Sequence, residues 1–174
     1  MAKHAQHTDH IHTSEASFKE YAKFYGVIIA ILAISGWLYG GSETIGAGEY
    51  LRYLMGVFLV VFAGFKLAGY RMFVTMFAGY DLIAKRYQLY AQAYPFIELA
   101  LGLVYLADVL GGLRDWLALI IFGVGTIGVA QEIYHRRSGV YCACLGNIIK
   151  LPLSTVSLVE DLSMALMALV MLAI

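Results

Sequence analysis

Residues 53–73, YLMGVFLVVFAGFKLAGYRMF, decide the fold. From Tyr53 to Phe65 the run carries no charge. As a helix rising about 1.5 Å per residue it reaches across a hydrocarbon core of about 30 Å. The charge set deepest in the stretch is the ammonium of Lys66, with Arg71 close to its end. A lone charge in lipid is expensive and marks either a partner or a function.

Four further apolar runs lie outside this stretch: 24–40, without charge; 94–110, with Glu98; 116–134, with Glu132 near its end; and 153–174, with Glu160 and Asp161 near its start. Hydrophobic residues make up 61% of the 174-residue chain and charged residues 14%, and most charges fall between the runs. A soluble domain would carry about a quarter charged residues. The expected fold class is therefore all-α, a polytopic transmembrane helix bundle of about five segments. A membrane strand would show ten-residue alternation, and none appears. Residues 1–23 read as a polar, His-rich N-terminal tail and 24–174 as the transmembrane domain. The tail lacks an apolar core and a small-residue cleavage site, so a signal peptide is not expected.

Residues 72–90 differ in character. Phe73, Phe77, Tyr80, Ala84, Tyr87 and Ala91 recur at three- and four-residue steps, with Asp81, Lys85 and Arg86 elsewhere on the wheel. This predicts an interfacial amphipathic helix, or else a tyrosine-rich belt. Gly64, Gly102, Gly123, Gly125 and Gly128 inside the runs permit close helix contact in lipid.

Lys19, Lys23, Arg71, Lys85, Arg86, Arg136, Arg137 and Lys150 fall on one side of a five-span topology, and Arg52 and Arg114 on the other. The positive-inside rule then makes the N-terminus cytoplasmic, in a bacterial-type inner membrane. Zero formal net charge gives no case for nucleic acid as a partner. The lipid bilayer is the expected environment, with a membrane or redox protein as a possible partner.

Lys66 and Glu98 lie about 10 Å and about 6 Å from the same ends of their runs, so antiparallel neighbours bring them to similar depth as an ion pair. The alternative is a snorkelling lysine and a protonated glutamate. Glu132, Glu160 and Asp161 join this intramembrane polar cluster toward the same face. Ser157 and Glu160 also fit a capping box, which would make Glu160 an interfacial cap.

Cys142 and Cys144 are the only cysteines. Two thiols in this spacing can hold a soft metal such as Cu(I), or cycle between dithiol and a strained, easily reduced disulfide. Packing of two small residues is the bland reading. Arg136, Arg137 and Lys150 favour the thiolate, and a cytoplasmic site favours metal over disulfide. His4, His7, His10 and His12 form a possible Cu or Zn tract, or an incidental polar tail. His135 could add a third ligand, although a solvated interfacial histidine is the simpler reading. No P-loop, dinucleotide fingerprint, paired-histidine zinc helix or Ser-His-Asp order is present.

Gly64-Phe-Lys66-Leu, Tyr94-Pro95-Phe-Ile-Glu98-Leu-Ala-Leu-Gly102 and Cys142-Ala-Cys144-Leu-Gly146 together resemble the MauE/DoxX group of small bacterial membrane proteins. Leu145 stands where that group usually has Phe, and the likeness covers the chain from Leu51 onward. The resemblance implies a four-helix core held by Lys66 and Glu98. It also implies a redox pair at Cys142 and Cys144 that supports a membrane-linked oxidoreductase, as MauE does for methylamine dehydrogenase. The resulting expectation is a thiol-redox or soft-metal accessory factor, whose enzymatic activity, if any, is thiol-disulfide exchange. The alternatives are a copper or other soft-metal transfer protein and a structural subunit of a membrane complex.

Overall fold

A computed structural model of the chain describes residues 18–81, 83–135 and 153–174. They form six helices: α1 Phe18–Gly40, α2 Ala47–Ala68, α3 Tyr70–Tyr80, α4 Gln88–Leu106, α5 Gly112–His135 and α6 Leu153–Ala173. No strand occurs among the described residues. Ala22–Gly40, Ala47–Ala68, Gln88–Leu106 and Gly112–Gln131 are long and apolar enough to cross a membrane. The protein is an all-α, multi-pass membrane bundle. Helix α6 runs along α5, and its side chains are described from Leu158 onward.

Two helix pairs carry the packing, α2 with α4 and α5 with α6, while α1 lies against α2. Glycine makes the first pair possible. A Cβ on Gly102 would stand 2.9 Å from Leu59 Cβ and 3.1 Å from the backbone nitrogen of Val60. One on Gly56 would stand 2.8 Å from the Leu106 side chain and 3.2 Å from the Gly102 carbonyl oxygen. Lipid gives helices no hydrophobic reason to associate, so such close approach is what holds them. Gly64 and Gly123, which share the sequence signal of Gly102, have no described residue within 4 Å of their Cβ positions.

The run at 53–73 is not one helix. Gly69 leaves helical geometry (φ −106°, ψ 29°), which ends α2 at Ala68 and starts α3 at once. The amphipathic segment also stops sooner than its periodicity suggests. Asp81 turns extended after Tyr80, and its Oδ1 accepts the backbone N–H groups of Ile83 (2.9 Å) and Ala84 (2.8 Å). This local side-chain bonding offers the backbone an alternative to helix. Burial pushes the Asp81 carboxyl above its ordinary range despite those two amides. Phe73, Phe77, Ala84 and Ala91 of the stripe are buried, whereas Tyr87 is 64% exposed. Helix α4 then begins at Gln88, earlier than its apolar run, and carries Pro95 inside it. Proline removes one backbone donor here, and the Tyr70 hydroxyl donates to the nearby Gln92 carbonyl at 3.1 Å.

An ionic knot closes the opposite end of the bundle. Arg52, at the start of α2, donates to the Tyr105 and Leu106 carbonyls (2.7 and 3.2 Å) and grips Glu49 through both oxygens. The Tyr105 carbonyl also accepts the Asp108 N–H at 3.3 Å, and the guanidinium adds donors to these last carbonyls of α4. Arg114 donates to Asp108 at 2.6 Å, and the Tyr105 hydroxyl donates to Asp115 at 2.8 Å. The connection needs the left-handed region at Asp108 (φ 54°), Leu110 (φ 68°) and Gly111 (φ 47°).

Two outcomes are expected. Gly102→Ala should cost about 1–3 kcal/mol of stability in detergent unfolding, the usual effect of overpacking, while Gly123→Ala should leave the midpoint unchanged. Equal midpoints for both would show that the glycine seam does not hold α2 to α4. At the knot, the Arg114 guanidinium holds the Asp108 carboxyl below its ordinary range. Its contribution is therefore present above that range and lost as pH falls through the folded value. The stability difference between the protein and Asp108→Asn should shrink below about pH 4. Asp108 is 59% exposed, so the difference should be small throughout.

Candidate functional site: a buried ionic cluster

Gly69 sets the geometry of the site. Because α2 stops there, Lys66 occupies its last turn, not a position two turns inside a longer helix. Glu98 correspondingly lies deep within α4, which starts at Gln88. The side chains meet because α4 extends beyond the level at which α2 ends. Lys66 Nζ donates to Glu98 Oε1 at 2.8 Å and Oε2 at 2.7 Å, and to Glu160 Oε1 at 2.7 Å. An ammonium has three donors and no acceptor, so three carboxylate oxygens match it. Lys66 is 1% exposed and Glu98 and Glu160 are 2% exposed each. Removing such ions from water costs several kcal/mol apiece, and only close, well-bonded geometry offsets that.

Aromatic rings complete the enclosure. Nζ lies 5.2 Å from the Tyr94 ring centroid and 5.8 Å from that of Phe73. Ring faces attract a cation without competing for its hydrogen bonds. Phe73, Phe77 and Tyr94 stack on one another between α3 and α4, with Tyr90 edge-on to Tyr94. Tyr94 precedes Glu98 by one helical turn, a spacing that could have singled it out in the sequence. Nothing comparable in the sequence signals Phe73 as the ring contributed by α3.

Glu160 and Asp161 are consecutive on α6 and face different neighbours. Glu160 reaches Lys66 of α2, while Asp161 Oδ2 comes within 3.0 Å of where a Cβ on Gly125 of α5 would sit. The helix begins at Leu153, so Ser157 lies inside it and cannot cap it. The capping-box alternative for Glu160 is thereby corrected, because its side chain is committed to Lys66. Glu132 and His135 belong to the last turns of α5, and their side chains lie outside the described residues. Cys142, Cys144, His4, His7, His10 and His12 lie outside the described residues altogether. Among the described residues, no group of three or more His, Cys, Asp and Glu is arranged to hold a metal ion.

The chain from 136 to 152 joins the end of α5 to the start of α6. The C-terminal turn of α2, with Lys66, is at that same end of the bundle.

A protein-family model described as "Methylamine utilisation protein MauE" matches residues 22–174, and the chain belongs to that family. No curated protein and no solved structure matches it.

Replacing Lys66 by Met leaves two buried carboxyls without their cation. The expected loss is about 3–5 kcal/mol, read as a lower unfolding midpoint in mixed micelles. The joint variant K66M/E98Q/E160Q leaves no uncompensated charge and should lose less. If Lys66→Met unfolds with the wild-type midpoint, the cluster contributes nothing to stability.

Proposed function

We propose that this member of the MauE family is a thiol-redox accessory factor that supports a membrane-linked oxidoreductase through Cys142 and Cys144. The observation that carries the reading is the buried Lys66–Glu98–Glu160 cluster. It ties α2, α4 and α6 together at the end of the bundle where the cysteine-bearing chain leaves α5 and enters α6. The chain that carries both cysteines leaves and re-enters the bundle at that end, which is where a partner protein would meet the thiols.

The exchange balances without a cofactor. In the oxidised pair, a thiolate of the partner attacks one of the two cysteine sulfurs. A mixed disulfide forms, and the other cysteine leaves as a thiolate. A second partner thiolate then breaks the mixed disulfide, so the partner gains a disulfide and Cys142 and Cys144 become a dithiol. Two electrons have passed to the pair, and the disulfide of a second carrier protein takes them onward. Closing a disulfide across one intervening residue strains the ring, which favours handing the oxidation on. Arg136, Arg137 and Lys150 near the pair favour the thiolate in the return step.

A second reading rests on the distribution of Lys and Arg. Eight of them near the span ends on the side of the N-terminus, against Arg52 and Arg114 opposite, favour a cytoplasmic inner-membrane face for the thiols. Cytoplasmic thiols stay reduced, and a reduced Cys-x-Cys pair suits Cu(I). The family's name, with its reference to methylamine utilisation, suggests a dehydrogenase as the enzyme supported.

One set of measurements separates the two. Under the thiol reading, alkylation of oxidised and reduced samples of the full chain gives masses differing by two alkyl groups. Cys144→Ser should also trap a mixed disulfide with its partner. Labelling that never changes with redox state sinks this reading. Stoichiometric Cu(I) uptake lost in the C142S/C144S variant, with the thiols shielded from impermeant maleimide outside the cell, would support the metal reading instead.

A further inference from the structure

Among the described residues, the cluster around Lys66 holds more acid than base, and this is independent of what the cysteines do. Lys66 supplies one ammonium, while Glu98 and Glu160 both place carboxyl oxygens on it at 2.7–2.8 Å. The other described groups facing this region are Asp161 on α6, which is 7% exposed, the phenols of Tyr90 and Tyr94 on α4, and the Phe73 ring of α3. Helix α5 offers Gly125, which carries no charge. One ammonium cannot balance two carboxylates, and an uncompensated charge in a low-dielectric interior is relieved by taking up a proton.

A second observation points to where that proton goes. Both oxygens of Glu98 accept hydrogen bonds from Lys66, but Glu160 uses Oε1 alone. Glu160 Oε2 is fully buried and has no hydrogen-bond partner among the described residues, on a side chain only 1% exposed. A bare anionic oxygen in such surroundings is among the costliest groups a protein can bury, whereas a protonated one carries no net charge.

We propose that Glu98 and Glu160 share one bound, exchangeable proton, so that Lys66, Glu98 and Glu160 form an electroneutral proton-binding site within the membrane domain. The ammonium bridges the two carboxyls, so the gain or loss of a proton on one is felt by the other. The ligand is H⁺, and the site couples helices α2, α4 and α6 to proton occupancy.

Dicyclohexylcarbodiimide tests this, because it modifies protonated carboxyls in apolar surroundings. The full-length protein in proteoliposomes near neutral pH should gain an adduct on Glu98 or Glu160, mapped by peptide mass spectrometry. The adduct should decline as pH is raised. Glu98→Gln should abolish labelling of Glu160, and Glu160→Gln that of Glu98, because a single glutamate opposite Lys66 needs no proton. Lys66→Met should instead leave both glutamates labelled. Independent labelling of the two, an adduct on Asp161 alone, or protection by sodium ions would each overturn the assignment, the last in favour of a metal cation. Infrared difference spectra between acid and alkaline samples give a reagent-independent reading. A protonated-carboxyl C=O stretch should be present in the wild type and lost in both glutamine variants, and its absence from the wild type rejects the shared proton.

Discussion

The contact between Lys66 and two glutamates is the constraint on which the rest of the bundle depends. Lipid is as apolar as leucine, so apolar faces do not choose their neighbours in a membrane. What chooses them is close backbone approach and the need of each buried polar group for a partner. Helices α2 and α4 are held by both, at three depths. Arg52 takes the terminal carbonyls of α4 at one end, Gly56 and Gly102 let the backbones meet in the middle, and Lys66 grips Glu98 toward the other end. Register between the two helices is therefore fixed along their length, because sliding either one would break a charge contact at both ends.

The second pair is attached to the first through adjacent residues that face apart. Glu160 commits α6 to Lys66, and Asp161 lies against Gly125 of α5, where a Cβ would crowd it. Rotating α6 to improve one contact would spoil the other. Two consecutive acids in an apolar run thus specify the rotation of a helix whose remaining surface is undemanding. The benefit is specificity rather than stability, since a buried ion pair scarcely exceeds the cost of drying its members.

Much of this is legible in the amino-acid sequence, for a simple reason. A charge inside an apolar run is conspicuous, so Lys66, Glu98, Glu160 and Asp161 stand out by composition alone. Depth along the runs pairs Lys66 with Glu98, although both helix ends fall elsewhere than hydropathy puts them, α2 ending short of its run and α4 starting ahead of its own. A single glycine, Gly69, breaks a run that composition reads as continuous, and α4 starts at Gln88, ahead of the apolar run and in a stretch whose periodicity reads as an interfacial helix. The role of Glu160 is ambiguous in the sequence because Ser157 and Glu160 satisfy a local capping pattern, and local patterns cannot register a lysine 94 residues away. Arg52 and Asp108 give no signal, because charges at span ends look like ordinary interfacial residues. The knot they form depends on the left-handed turn at Asp108 to Gly111, which only tertiary contacts specify.

The two ends of the bundle are closed in chemically different ways, and that difference bears on function. At the Arg52 end, guanidinium groups bond to carbonyls and acids that finish helices, a structural use that leaves the backbone satisfied. At the Lys66 end, among the described residues, the ammonium meets carboxyl groups under a layer of Phe73 and Tyr94 rings. Rings stabilise a cation without saturating it, and carboxyls change charge where carbonyls cannot. A protein that needed only to hold α2, α4 and α6 together could have used apolar side chains of similar volume at no loss of stability. Retaining three ionisable groups at the end that leads into the Cys142–Cys144 segment makes sense if their charge state is used, with the Phe73 ring of α3 covering the ammonium.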